Sequence, residues 1–165
     1  MRRAKPISRR RMLETFGVLA AAGATGMLTA SIPRRAEAQQ LGLQESVQDA
    51  LKRVFGGRSM KDGAGIVKLD VPFIAENGAV VPVSVEVASP MTASNYVRHV
   101  YIVADKNRIP LIARATLVPE IGQATVGVAV RLGESGDVRA IVEQSDGTLL
   151  QVKREVKVTV GGCGG

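Results

Sequence analysis

The chain has 165 residues, with 22 Lys and Arg against 15 Asp and Glu, no Trp and a single cysteine. Its formal net charge of +7 invites a nucleic-acid reading, but the first 38 residues hold eight of the basic groups and only two of the acidic ones. The remainder carries 14 basic and 13 acidic residues, so composition gives nucleic-acid binding no support. One cysteine also excludes a disulfide within the chain.

Residues 1–38 read as a cleavable export leader. Ser8-Arg9-Arg10-Arg11-Met12-Leu13 is a twin-arginine pattern, and an apolar stretch follows over residues 16–30. That stretch contains Gly17, Gly23 and Gly26 and spans about 15 residues, too few for a membrane helix. Ala36-Glu37-Ala38 supplies the small residues that a signal peptidase requires. The expectation is an exported periplasmic protein of 127 residues without a membrane segment, long enough for one domain with a core.

A helix is expected first. Val47, Ala50, Leu51, Val54 and Phe55 recur at i, i+3, i+4, i+7 and i+8, which places them on one stripe. Asp49 stands early and Lys52 and Arg53 late, matching the helix dipole, and Gly56-Gly57 supplies the stop. Such a helix is expected to cover a sheet edge or one end of a sandwich. Beyond Gly65 the period changes to two: Val67, Leu69, Val71 and Phe73 point one way, and Val81, Val83, Val85 and Val87 alternate after an Asn77-Gly78 turn signal. Pro82 within that run marks an edge strand or a bulge, because it has no N–H for the ladder. Further strands are expected over residues 97–104, 111–117, 125–132, 138–143 and 149–160, divided by turn residues such as Asp146-Gly147. About seven short, regularly spaced strands predict a mainly β, immunoglobulin-like antiparallel sandwich with aliphatic packing, occupying residues 39–160.

The last five residues, Gly161-Gly162-Cys163-Gly164-Gly165, contain no branched or bulky side chain. Glycine resists ordering, so this segment reads as a flexible arm that reaches roughly 17 Å when extended. Bare backbone on both flanks suits an arm that threads a narrow channel and offers its sulfur to a buried centre. An exposed thiol starts near a pKa of about 8.5, so its reactivity is set by the site it enters. A lone cysteine in an exported protein is a reactive thiol or an intermolecular bridge. Two residues follow it, which excludes a prenylation box.

These residues resemble a known family. Val158-Thr159-Val160-Gly161-Gly162-Cys163-Gly164-Gly165 is similar to the tail of SoxY, the sulfur-carrier subunit of bacterial Sox sulfur oxidation. Ala50-Leu51, Val54-Phe55-Gly56, the stretch Ala75-Glu76-Asn77-Gly78-Ala79-Val80-Val81-Pro82-Val83 and the twin-arginine leader extend the resemblance. It implies that Cys163 is the covalent attachment site, flanked by the flexible Gly161, Gly162, Gly164 and Gly165. It further implies adducts of thiosulfate on that cysteine, a cysteine S-thiosulfonate and then a persulfide. Three partner enzymes act on them: a haem cytochrome, a sulfate-releasing hydrolase and a sulfane dehydrogenase. A β-sandwich SoxZ subunit completes a heterodimer. The chain itself is then a carrier and not an enzyme, with no cofactor and no metal.

Other signals are weaker. His99 is the only histidine and has no companion ligands at metal-binding spacing, so a structural or surface role is expected. Lys153, Arg154 and Lys157 precede the arm but are interrupted by Glu155, which favours a solvated strand face over an anion site. Two alternatives remain. One is an exported interaction module whose terminal cysteine forms a disulfide. The other is a carrier that uses a terminal Gly-Gly as thiocarboxylate, which needs cytosolic ATP-dependent activation and is opposed by the leader.

Overall fold

A computed structural model describes residues 44–161. The expected leader and the residues from Gly162 onward, Cys163 included, lie outside the described residues. The helix α1 spans Val47–Phe55. The Oγ of Ser46 accepts the Asp49 N–H at 3.1 Å, and Gly56 ends the helix at φ 62, where its N–H reaches the Lys52 carbonyl. A nine-residue helix is marginal alone, so its place depends on the apolar stripe.

Among the described residues nine strands follow: β1 (Met60–Asp62), β2 (Val67–Asp70), β3 (Ile74–Ala75), β4 (Val81–Val87), β5 (Val97–Ala104), β6 (Leu111–Thr116), β7 (Ala124–Val130), β8 (Gly136–Gln144) and β9 (Leu149–Val158). One sheet has the order β1-β9-β8-β5-β6, with β3 also on β9, and the other has the order β2-β4-β7. The two sheets enclose a core of valine, isoleucine, leucine and alanine side chains that includes Val81, Val85, Val100, Ile102, Val142 and Val156. The fold is the expected mainly β sandwich with one N-terminal helix.

Burial follows the layers. In β4 inward and outward residues alternate, because its sheet faces solvent on one side. In β5 every residue from Val100 to Ala104 is buried, and β8 is buried from Ala140 to Glu143. The reason is α1, which lies on the far face of the larger sheet: Phe55 packs with Tyr101, Val103, Ile141 and Leu149. The rings of Phe55 and Tyr101 meet edge to face, with centroids 4.9 Å apart. The helix therefore covers a sheet face, not an edge or an end as expected.

Three further expectations change. Phe73 does not continue the buried row of Val67, Leu69 and Val71 but is 56% exposed, because the chain leaves the small sheet after Asp70. β4 is a central strand. Pro82 is tolerated there because β2 meets β4 only from Ser84 to Val87, leaving the β2 side open at the proline. The strands β1 and β3, absent from the sequence expectation, pair in parallel with β9 at its Leu149–Gln151 and Lys157–Val158 positions. The remaining ladders are antiparallel. Between the two short pairings, the Arg154 guanidinium donates to the Leu69 carbonyl at 2.9 Å and ties the two sheets together.

Candidate functional site

The described part of the expected arm is its root. The strand β9 ends at Val158, two residues earlier than the alternation predicts, yet the backbone stays fixed beyond that point. Ser135 substitutes for a partner strand: its Oγ accepts the Val158 N–H at 2.8 Å and donates to the Val158 carbonyl at 3.3 Å. On the opposite edge the Thr159 N–H donates to the Ala75 carbonyl at 3.0 Å, and the Thr159 hydroxyl donates to the Glu76 carbonyl at 2.8 Å. The Val160 carbonyl then accepts the Gly78 N–H at 2.7 Å, while the Gly78 carbonyl accepts the Leu132 N–H at the same distance. Asn77, read as a turn residue, accepts the Ala79 N–H through its own Oδ1 at 2.8 Å. This turn does not close a hairpin; it links β3 in one sheet to β4 in the other and carries Gly78 to the root.

Gly161 is exposed, but its Cα faces the Gly133 carbonyl so closely that an added Cβ would lie 2.5 Å from that oxygen. Gly133 is itself held by Asn107, a buried residue. The Asn107 Nδ2 donates to the Arg131 carbonyl at 2.7 Å, and its Oδ1 accepts the Gly133 N–H at 3.0 Å. A carbonyl cannot donate and an N–H cannot accept, so the two backbone groups fix the amide orientation. Loops around residues 75–80, 105–110 and 131–135 thus converge on residues 158–161. From the sequence Asn107 and Ser135 read as turn residues and nothing more, because their roles come from residues more than 20 positions away.

The segments that hold the root also carry exposed large apolar side chains, Phe73, Ile74, Val80, Ile109 and Val160 among them. Lys157 lies over the Phe73 ring at 5.0 Å. The basic residues before the arm do not converge. Lys153 pairs with Asp137 at 2.9 Å, Arg154 is committed to Leu69, and Lys157 to Phe73.

A second polar group lies on the helix-side face of the large sheet. Glu143 is buried and accepts from Arg58 at 2.8 Å and from the Tyr101 hydroxyl at 3.1 Å. Burial opposes its charge, but the hydrogen bonds from Arg58 and Tyr101 outweigh it and hold the carboxyl below its ordinary value. His99 contacts Thr116 through Nδ1 at 3.1 Å and Arg114 through Nε2 at 3.0 Å. The arginine only donates, so Nε2 accepts and the proton sits on Nδ1. Burial, and then the Arg114 charge, push the imidazole pKa down. Both ring nitrogens are committed, and no cluster of three metal-ligating side chains occurs among the described residues.

These shifts predict a pH dependence of stability. His99 titrates below 6.5 in the fold, so the unfolded chain gains its proton first and stability declines as pH falls through about 6.5. Glu143 titrates below 4.5, so its contribution is present above 4.5 and is lost as pH falls through the lower folded value. Urea unfolding midpoints across this range are expected to fall in both windows, with His99→Gln removing the upper decline and leaving the lower one. An unchanged upper decline in that variant would contradict the assignment.

Comparison with known proteins gives the family. The model of the family described as sulfur oxidation protein SoxY matches residues 51–163. The sulfur carrier protein SoxY from Chlorobium limicola f thiosulfatophilum superposes with a TM-score of 0.57 at 28% identity, covering 70% of this chain and 97% of that one. A superoxide reductase (neelaredoxin) from Ignicoccus hospitalis superposes with a TM-score of 0.50 at 21% identity, covering 56% of this chain and 80% of that one, which shows the fold alone. No curated protein matches the sequence. The family match runs from the helix to the terminal cysteine itself, and on it the chain belongs to the SoxY family of sulfur oxidation proteins.

Proposed function

We propose that this chain is a periplasmic covalent sulfur carrier in thiosulfate oxidation, with Cys163 as the attachment point and Gly161, Gly162, Gly164 and Gly165 as the bare flanks that let it enter partner sites. The observation that carries the reading is the family match, which extends as far as Cys163; the similar Chlorobium protein is a sulfur carrier. In the proposed cycle a haem cytochrome oxidises the Cys163 thiol together with thiosulfate. A sulfur–sulfur bond forms between the cysteine and the sulfane sulfur, the thiol proton is released, and two electrons pass one at a time to the cytochrome, each reducing one ferric haem. A hydrolase then adds water at the sulfonate sulfur and breaks its bond to the sulfane sulfur. Sulfate leaves, and a cysteine persulfide remains. A sulfane dehydrogenase, where present, oxidises that remaining sulfur. A SoxZ-type sandwich subunit is the proposed stable partner.

This division of labour assigns no acid, base or metal ligand to the chain. Tethering keeps a labile sulfur species from diffusing away and presents it at high effective concentration to each enzyme in turn. Intact-mass analysis of the protein from cells growing on thiosulfate is expected to show additions of about 112 Da and about 32 Da on Cys163, both removed by reductant. A free thiol alone, or only a disulfide-linked dimer, would support the interaction-module reading instead. A mass change at the Gly165 carboxylate would point to the thiocarboxylate reading. Separately, Gly162→Trp is expected to block loading by partner enzymes while the sandwich stays folded; normal loading of that variant would refute a narrow entry channel.

A further inference from the structure

We propose that the root of the arm is an aiming device, in which Asn107, acting through Gly133, and Gly161 are positioning residues that set the direction in which Cys163 leaves the domain. The proposal rests on the carrier reading for its purpose, but its geometry stands alone. The backbone is bonded on both edges at Val158 and Thr159, and Val160 is held by Gly78. Gly78 also holds Leu132, so the loops on either side of the root are tied to each other as well as to it. Asn107 spans Arg131 and Gly133 like a short piece of partner strand, which presents the Gly133 carbonyl to the Gly161 Cα.

Glycine is required at position 161 by this contact and not only by flexibility. The φ of Gly161 is not in the left-handed region; what excludes a side chain is the Gly133 carbonyl, a backbone atom that cannot swing aside. The contact has a consequence for reach. Covalent geometry keeps the Cα of Cys163 within about 7 Å of the Gly161 Cα, against about 10 Å from the Val160 Cα if position 161 were not held. A short tether with a set exit direction raises the effective concentration of the sulfur along one path and lowers it elsewhere. Small errors in placement are costly at a reacting centre, where a displacement of about 1 Å can lower a rate about a hundredfold.

The test uses the full chain and its single cysteine. A nitroxide on Cys163 and a second on Lys52→Cys, an exposed helix position, report the distance distribution between arm and domain. Gly161→Ala and Asn107→Ala are each expected to broaden or shift that distribution. Gly162→Ala, one residue outside the contact, is expected to change it far less. In the proteins without spin labels, alkylation of Cys163 by iodoacetamide is expected to stay at the parent rate. The thiosulfate-derived adduct on Cys163 in cells is expected to fall about tenfold or more in the Gly161 and Asn107 variants. A general loss of fold would lower the melting temperature, which separates positioning from damage. An unchanged distance distribution in both variants overturns the proposal, as does unchanged loading in variants of a parent that loads. A parent that never carries the adduct instead counts against the carrier reading, and the distances then decide the aiming device by themselves.

Discussion

Cys163→Ser is expected to abolish sulfur loading on this chain and any thiosulfate oxidation that depends on it, with the sandwich left intact. The oxygen of serine is a far weaker nucleophile than a thiolate and forms no sulfur–sulfur bond, so no partial activity is expected. The change replaces one atom of a side chain by a smaller one, and among the described residues every buried hydrophobic residue lies between Ala50 and Val156. A shift of no more than about 2 °C in Tm is therefore expected. Mass spectra of the variant from thiosulfate-grown cells, read beside growth or oxidation rates, check both halves. Retained thiosulfate oxidation in the serine variant would remove Cys163 from the chemistry, whatever the family.

Phe55→Ala is expected to produce the largest loss of stability among single substitutions on the helix. Phe55 is 3% exposed and closes the cluster formed with Tyr101, Val103, Ile141 and Leu149. Truncation removes its buried area and the edge-to-face contact with Tyr101, and it leaves a cavity against the sheet. The cost expected for such a site is about 3 to 5 kcal/mol. Because α1 is too short to persist alone, its amide protection should be lost before the sheet unfolds, and hydrogen exchange can follow that directly. By contrast, Arg53→Ala should cost little, since its pairing with Glu45 at 2.7 Å is on the surface, where salt bridges contribute about 1 kcal/mol or less. Equal losses for the two variants would show that the helix is not held by Phe55.

The two substitutions separate what the chain carries from what supports it. The proposed carrying group is a reading of the sequence alone, drawn from its unusual surroundings: one cysteine among four terminal glycines. The helix was legible for a different reason, its i, i+3, i+4 stripe together with the Gly56 stop, and it occupies the residues that the pattern marks. Strand β4 was visible from strict alternation, which survives because only one face of its sheet is buried.

Periodicity lost its power where a strand is covered on both faces or by residues distant in sequence. The unbroken burial of Val100–Ala104 identifies β5 as apolar but cannot say that α1 supplies the second cover. The two- and three-residue strands β3 and β1 are too short to show a period and exist because the edge of β9 offers unpaired backbone groups. Pro82 reads as an edge signal, and only the pairing shows that a central strand can contain it where β2 has already ended.

By itself, then, the sequence determined the aliphatic sandwich, the helix, the family resemblance and the position of the lone terminal cysteine. These depend on local spacing and on residue chemistry, both of which are written along the chain. Only the tertiary structure decided where the helix lies and how the arm is rooted. Those features depend on backbone groups brought together from three separate loops, with Asn107 on Gly133 and Gly133 against Gly161. No spacing rule records such contacts, because the partners are peptide groups that every residue possesses.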